Sequence, residues 1–245
     1  MIKLFLFLLI TIQLHAFLGI KPLNINEKKG INGNLGLSAK YSQGNTDKKQ
    51  INLSADTKYY AKDKIYFILV NYSFGESNSV RDTNKGLTHL RYLKKLNSIF
   101  DYEIFTQIEF NEFQDLKLRS VTGFNLRNKI DFLKSFYIGY GLMYSYMKPK
   151  EITYFNKIRK DIVGNLYLSM TEDITKNLNF NYLGYYQPII NNLSDFRISQ
   201  VFQFDNKINK KFMIRIEAIY QYNESPYYGI EKEDFSTNIG LIYKF

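Results

Sequence analysis

The sequence predicts an all-β fold, an antiparallel transmembrane β-barrel of about twelve strands. Three observations predict it: apolar and polar residues alternate in stretch after stretch, the stretches are long, and the first residues read as an export signal. In residues 102–111, YEIFTQIEFN, one alternating set is Tyr102, Ile104, Thr106, Ile108 and Phe110. The other is Glu103, Phe105, Gln107, Glu109 and Asn111. Successive side chains of a strand point to opposite faces, so this segment carries one apolar and one polar face. The apolar face needs either a protein core or lipid.

Residues 1–16, MIKLFLFLLITIQLHA, have a positive start at Lys3, an apolar run from Leu4 to Leu14 and a small residue at Ala16. That run is too short for a comfortable membrane span and fits a secretory signal peptide. A short polar periplasmic segment, 17–30, is expected to follow, and the barrel to occupy 31–245. The alternating stretches fall at 31–43, 48–61, 64–74, 84–96, 99–111 and 115–128, then at 135–147, 158–170, 177–188, 195–206, 211–223 and 234–245. Most exceed the roughly 5–6 residues of soluble strands. They match the roughly 9–11 that a tilted strand needs to cross a bilayer. The connections 75–84, 148–157 and 224–233 are the longest, and each follows an odd-numbered strand. With the N-terminus in the periplasm, all three lie outside the cell, the asymmetry of outer-membrane barrels.

The last stretch, DFSTNIGLIYKF, sets Phe235, Thr237, Ile239, Leu241, Tyr243 and Phe245 on one face. A strand of this kind ending on Phe resembles the terminal signature of bacterial outer-membrane barrels, which their assembly machinery recognises. A soluble lipocalin-like barrel also alternates, but puts its apolar residues inside. Here Tyr137, Gly139, Gly141 and Ser145 oppose an unbroken wall of Phe136, Ile138, Tyr140, Leu142, Tyr144 and Tyr146. Such a wall suits lipid, with Tyr at its ends near headgroups.

Composition narrows the chemistry. The chain has no Cys, which excludes disulfides, cysteine catalysis and cysteine-ligated metal, and its two His, His15 and His89, cannot make a His-rich metal site. No cofactor is expected. The net charge is +10, but Lys and Arg are spread among Asp and Glu, so no nucleic-acid partner is expected. Contact with outer-membrane lipid and lipopolysaccharide headgroups is compatible with that charge. A monomer in the bacterial outer membrane, reached by export through the inner membrane, is the expected state.

Parity then assigns the interior. Asp101, Glu103, Gln107 and Glu109 project inward from the fifth stretch, and Arg119, Asn125 and Arg127 from the sixth. A hairpin turning near Gln114 sets Glu109 opposite Arg119, Asp101 opposite Arg127 and Phe105 over Gly123. Lys40, Asp56, His89, Arg91, Arg159, Arg197, Arg215 and Glu217 are further candidates for the lumen lining. An unpaired internal charge is expensive, so these groups must find partners or line a water-filled path. The two outcomes are a polar pore and a lumen plugged by paired side chains.

The run YEIFTQIEFNEFQDLKLRSVTGFNLR, residues 102–127, and the turn Gly44-Asn45-Thr46-Asp47 resemble the salt-induced outer-membrane protein family, which has no assigned molecular function. The resemblance implies an outer-membrane β-barrel and carries over no reaction or ligand. The expected function is therefore a passive channel or binding barrel for small polar solutes, with a non-conducting envelope-stress barrel as the alternative. An outer-membrane lipid hydrolase is disfavoured. His89 points inward beside Arg91 while Thr88, Leu90 and Tyr92 face lipid, and no Ser is placed to join it in a catalytic pair.

Overall fold

The structure is a computed structural model; it describes residues 30–42, 48–130 and 135–245, leaving aside the side chains of residues 40 and 42. The expected signal peptide and nearly all of the N-terminal segment lie outside the described residues. Twelve antiparallel strands close into a barrel: β1 (Gly30–Ser42), β2 (Lys48–Tyr60), β3 (Lys64–Ser77), β4 (Val80–Lys95), β5 (Phe100–Asn111), β6 (Leu116–Ile130), β7 (Ser135–Pro149), β8 (Arg159–Asp173), β9 (Leu178–Ile189), β10 (Asn192–Lys207), β11 (Phe212–Asn223) and β12 (Glu233–Lys244). Each strand pairs with the next, and β12 returns to β1, so the sheet closes on itself, with the β12–β1 pair the shortest.

Outward residues are the apolar set throughout. Ile104, Ile108 and Phe110 of β5 are exposed, as are Tyr140, Leu142 and Tyr144 of β7 and Ile239 and Leu241 of β12. The intervening residues are buried in the lumen, which inverts the soluble-sheet arrangement and matches a wall facing hydrocarbon. Tyr66, Tyr92 and Tyr102 form an aromatic row on three adjacent strands near the turn face, the end where β1 begins and β12 ends.

Connections on the opposite face include the two long ones, 150–158 and 224–232, and this end is the loop face. One expected long loop is absent. Instead of a loop over 75–84, β3 continues to Ser77 and β4 begins at Val80, joined by Asn78 (φ 49°) and Ser79 (φ 61°). Two consecutive residues in the left-handed region make the tight I′-type hairpin whose twist matches that of the strands. The β5–β6 connection is a single 3-10 turn, Glu112–Gln114, capped by the Asn111 side chain accepting from the Phe113 amide.

The ladder is uneven around the barrel. Ten of the neighbouring pairs hold between eleven and fourteen positions in register, and β8–β9 holds nine. The closing pair β1–β12 holds four, Asn34–Leu37 against Leu241–Lys244. A further reciprocal backbone pair joins Gly33 and Phe245.

Candidate functional site

The lumen is built mainly from the β5–β6 hairpin. Its register pairs Glu109 with Arg119, Phe105 with Gly123 and Asp101 with Arg127. Arg119 Nη1 donates to Glu109 Oε1 at 2.7 Å, and Arg127 places Nε and Nη2 on Asp101 Oδ2 at 3.0 and 2.9 Å. Glu103 lies between them, fully buried, and collects four neighbours. Arg91 Nη1 (3.4 Å) and Arg127 Nη1 (3.7 Å) face its Oε1; Asn125 Nδ2 (3.1 Å) and the Tyr167 hydroxyl (3.0 Å) donate to its Oε2. Two guanidiniums on one carboxylate, with neutral donors filling the second oxygen, is what burial of these charges demands.

From this centre a belt of hydrogen bonds runs round and across the lumen. Arg91 Nε donates to His89 Nε2 at 3.3 Å, so His89 carries its proton on Nδ1 and donates it to Gln107 Oε1 at 3.2 Å. Gln107 Nε2 continues to Glu109 Oε2 at 2.9 Å. On the other side, Asn165 Nδ2 donates to Asn125 Oδ1 and Gln187 Nε2 to Asn165 Oδ1. Tyr185 of β9 reaches Arg91 of β4, five strands away round the wall, so the belt crosses the lumen. The Arg127 guanidinium also sits 4.4 Å above the Tyr137 ring.

Glycine makes the crossing possible. A Cβ on Gly139 would lie 2.1 Å from Tyr167 Cε1, so the Tyr167 ring occupies that space on its way to Glu103. Gly123 works differently from the expectation that Phe105 covers it. The space beside it is taken by Met143 and the β7 backbone, while Phe105 stacks on His89 with ring centroids 5.9 Å apart. Apolar side chains complete the filling: Phe105, Val121, Met143 and Val163 in one cluster, and Tyr167, Leu183, Tyr185, Val201 and Ile219 in another.

The remaining sequence candidates lie away from the belt. Asp56 accepts twice from Asn34 Nδ2 at 2.9 Å, and Arg215 grips Asp205 through Nε (2.8 Å) and Nη2 (3.2 Å), with Glu217 buried two residues on. Arg159 donates to the Ser225 and Pro226 carbonyls and lies over the Tyr227 ring; Arg197 donates to Met147 Sδ. Lys40 pairs with Gln50 in the β1–β2 ladder, and its side chain is outside the described residues. Sequence reasoning missed Tyr167, Asn165, Tyr185 and Gln187. The parity of β8 and β9 marks all four as inward, but only barrel closure shows that they reach β4–β6. Among the described residues, no three His, Asp or Glu side chains converge as metal ligands would.

Two cavities flank the filled region. One of about 30 Å³ lies within the belt beside His89, Arg91, Gln107 and Tyr185. The other, about 70 Å³, lies on the loop side between Met147, Arg197, Ser199, Gln221 and Tyr227. The loops roof the second. Asn156 Nδ2 donates to Asp115 Oδ2, Asn156 Oδ1 accepts from the Tyr228 amide, and Phe155 stacks on Tyr228 at 4.7 Å. Glu112 ties the same roof to the wall. Hydrogen bonds from Asn84 and Lys150, with the Arg81 guanidinium nearby, hold its carboxyl below the usual glutamate range.

A closed antiparallel barrel with an apolar outer wall and a charge-paired interior defines the outer-membrane class of β-barrel. Within that class, residues 35–245 match the family described as "Protein of unknown function, DUF481", and the chain belongs to it. Among solved structures it is similar to the translocator domain of the autotransporter NalP from Neisseria meningitidis, at 11% identity and TM-score 0.51 over 90% of each chain. It is also similar to the NanC porin, at 12% identity and TM-score 0.50 over 88% of this chain and 98% of that one. At these identities the likeness is one of fold. No curated protein matches the sequence.

Proposed function

We propose that this protein is an outer-membrane barrel that binds small polar solutes in its loop-side half and does not conduct them freely. The observation that carries this reading is the belt. Glu103 and Arg127 have no exposed surface, and Tyr185 meets Arg91 across the lumen. A passive pore needs a wetted path lined by those charges; here the charges spend their donors and acceptors on one another. The filled interior favours the non-conducting alternative over the open channel. The fold shared with a porin supports the barrel and leaves conduction to this chain's own lumen.

The same reading extends to what surrounds the barrel. The loop face is outward, the apolar wall meets lipid and lipopolysaccharide, and β12 with Phe245 just after it is the element the assembly machinery would engage. Export through the inner membrane rests on the residues at the N-terminus. The stretch 102–127 and the GNTD turn support a place among the salt-induced outer-membrane proteins. A non-enzymatic role is supported at His89, whose two ring nitrogens are held by Arg91 and Gln107.

Proteoliposome swelling tests the proposal. Wild-type protein should leave vesicles as tight to small sugars and amino acids as protein-free vesicles. Swelling that scales with protein content would refute the closed barrel.

A further inference from the structure

Arg197 is placed unlike the four inward arginines that hold carboxylates. Arg91, Arg119, Arg127 and Arg215 each meet a carboxylate at ion-pair distance. Among the described residues Arg197 makes a single hydrogen bond, from Nη2 to the thioether sulfur of Met147 at 3.2 Å. A thioether is a weak acceptor, and a guanidinium carries five donors in a fork shaped for an oxyanion. Arg119 and Arg159 are its positively charged neighbours and Glu109 and Asp195 its acidic ones. Glu109 is engaged by Arg119, and neither acid comes within ion-pair distance of Arg197. Arg159 spends its donors on loop carbonyls and its face on Tyr227. Three guanidiniums therefore stand near Glu109, which Arg119 already holds; Arg197 and Glu109 line the cavity itself, together with Glu231, Lys232 and Asp234, of which Lys232 holds Glu224 and Asp234 accepts from Gln114.

That corner opens on the cavity of about 70 Å³. One water needs about 10–15 Å³ of such room, so the chamber fits a few waters or one small polyatomic ion. The backbone is irregular just there. The β9–β10 register shifts between Asn192 and Phe196, immediately before Arg197. The β8–β9 ladder skips the positions opposite Pro188, which has no N–H to offer. Bulges of this kind re-aim a side chain, and this one precedes the arginine that points into the chamber.

We propose that the chamber beneath Tyr227 is a binding site for a small oxyanion, of the phosphate or carboxylate class, held by the fork of Arg197 with Arg159 and Arg119 supplying field. Ser199, whose buried hydroxyl has no hydrogen-bond partner among the described residues, lines the same cavity and offers a neutral donor. The site does not depend on whether the barrel conducts, so swelling and binding measurements fail separately.

The test is isothermal titration of the detergent-folded barrel, prepared free of phosphate, with inorganic phosphate and in a second series with acetate. Wild type should bind at least one of them saturably at one site per chain, and the tighter of the two reports a tetrahedral or planar preference. Arg197→Gln should bind at least about tenfold more weakly while keeping the heat-dependent gel shift of a folded barrel. Should that variant not fold, Arg197→Lys keeps the charge without the fork and should still bind several-fold more weakly. No saturable binding of either anion by wild type, or unchanged affinity in the folded variants, would overturn the site.

Discussion

The wall formed by β4–β9 and the seam between β12 and β1 close the same barrel by different means. The wall has long ladders, and its side chains turn inward into a buried network that crosses the lumen to Tyr185. The seam has four paired positions, locked at the turn face. There the Phe245 ring covers Gly33 on the outside, within 2.1 Å of where a Cβ would stand, and Ile242 packs against Gly36 on the inside. Outward from Leu37 and Leu241 the ladder stops. Charges also differ in their surroundings: the Arg127 and Glu103 side chains are 0% exposed, whereas Arg215 is 27% exposed nearer the seam. Rigidity in this barrel is concentrated where the lumen is blocked, and the closure is weakest along the loop-side half of the β12–β1 seam.

The largest expected effect comes from removing the hub of the wall. Glu103→Ala leaves Arg91 and Arg127 buried beside one fewer carboxylate and should destabilise the barrel by about 3–5 kcal/mol. Arg215→Ala, near the seam, should cost under about 1 kcal/mol, since its ion pair is partly solvated. Urea titrations read by the gel shift separate the two; equal losses would erase the contrast between the regions. Next in size is Gly139→Val. The added methyls displace the Tyr167 ring and its hydrogen bond to Glu103, which should cost about 1–3 kcal/mol by overpacking. If the gel-shift midpoint stays at the wild-type value, Tyr167 is not seated against Gly139.

The seam can be probed directly because the chain has no cysteine of its own. Leu35→Cys with Tyr243→Cys, which are partners in register, should cross-link readily under mild oxidation. Ala39→Cys with Ile239→Cys, which would pair if the ladder continued, should cross-link more slowly. Equal rates would mean the seam is zipped along its length. The smallest effect concerns the loop roof. The folded-state pKa of Glu112 is depressed, so its contribution is present above the ordinary glutamate value of about 4.3 and fades as pH falls through the lower folded value. Hydrogen exchange in residues 150–158 should therefore rise between about pH 5 and pH 3 while mid-strand amides of β5 and β6 stay protected. Uniform loosening would remove Glu112 as the clasp.

Much of the wall was legible in the sequence, and little of the seam. The alternation in YEIFTQIEFN settled which side chains of β5 face lipid, and a turn near Gln114 was enough to pair Glu109 with Arg119 and Asp101 with Arg127. Those are local facts, carried by period-two patterning and one hairpin. Tyr167 and Tyr185 were illegible as belt members because their partners sit three or more strands away and meet only on closure. The hairpin at Asn78-Ser79 was missed because its second residue is not the Gly that usually marks such turns. Parity gave Arg197 an inward direction, yet its lack of a carboxylate depends on which strands surround it.

The central claim is that the belt closes the lumen, and single-channel recording of the wild-type barrel in planar bilayers tests it most directly. The account predicts a silent baseline from protein that shows the folded gel shift. Steady, reproducible conductance steps from the same preparation would contradict it.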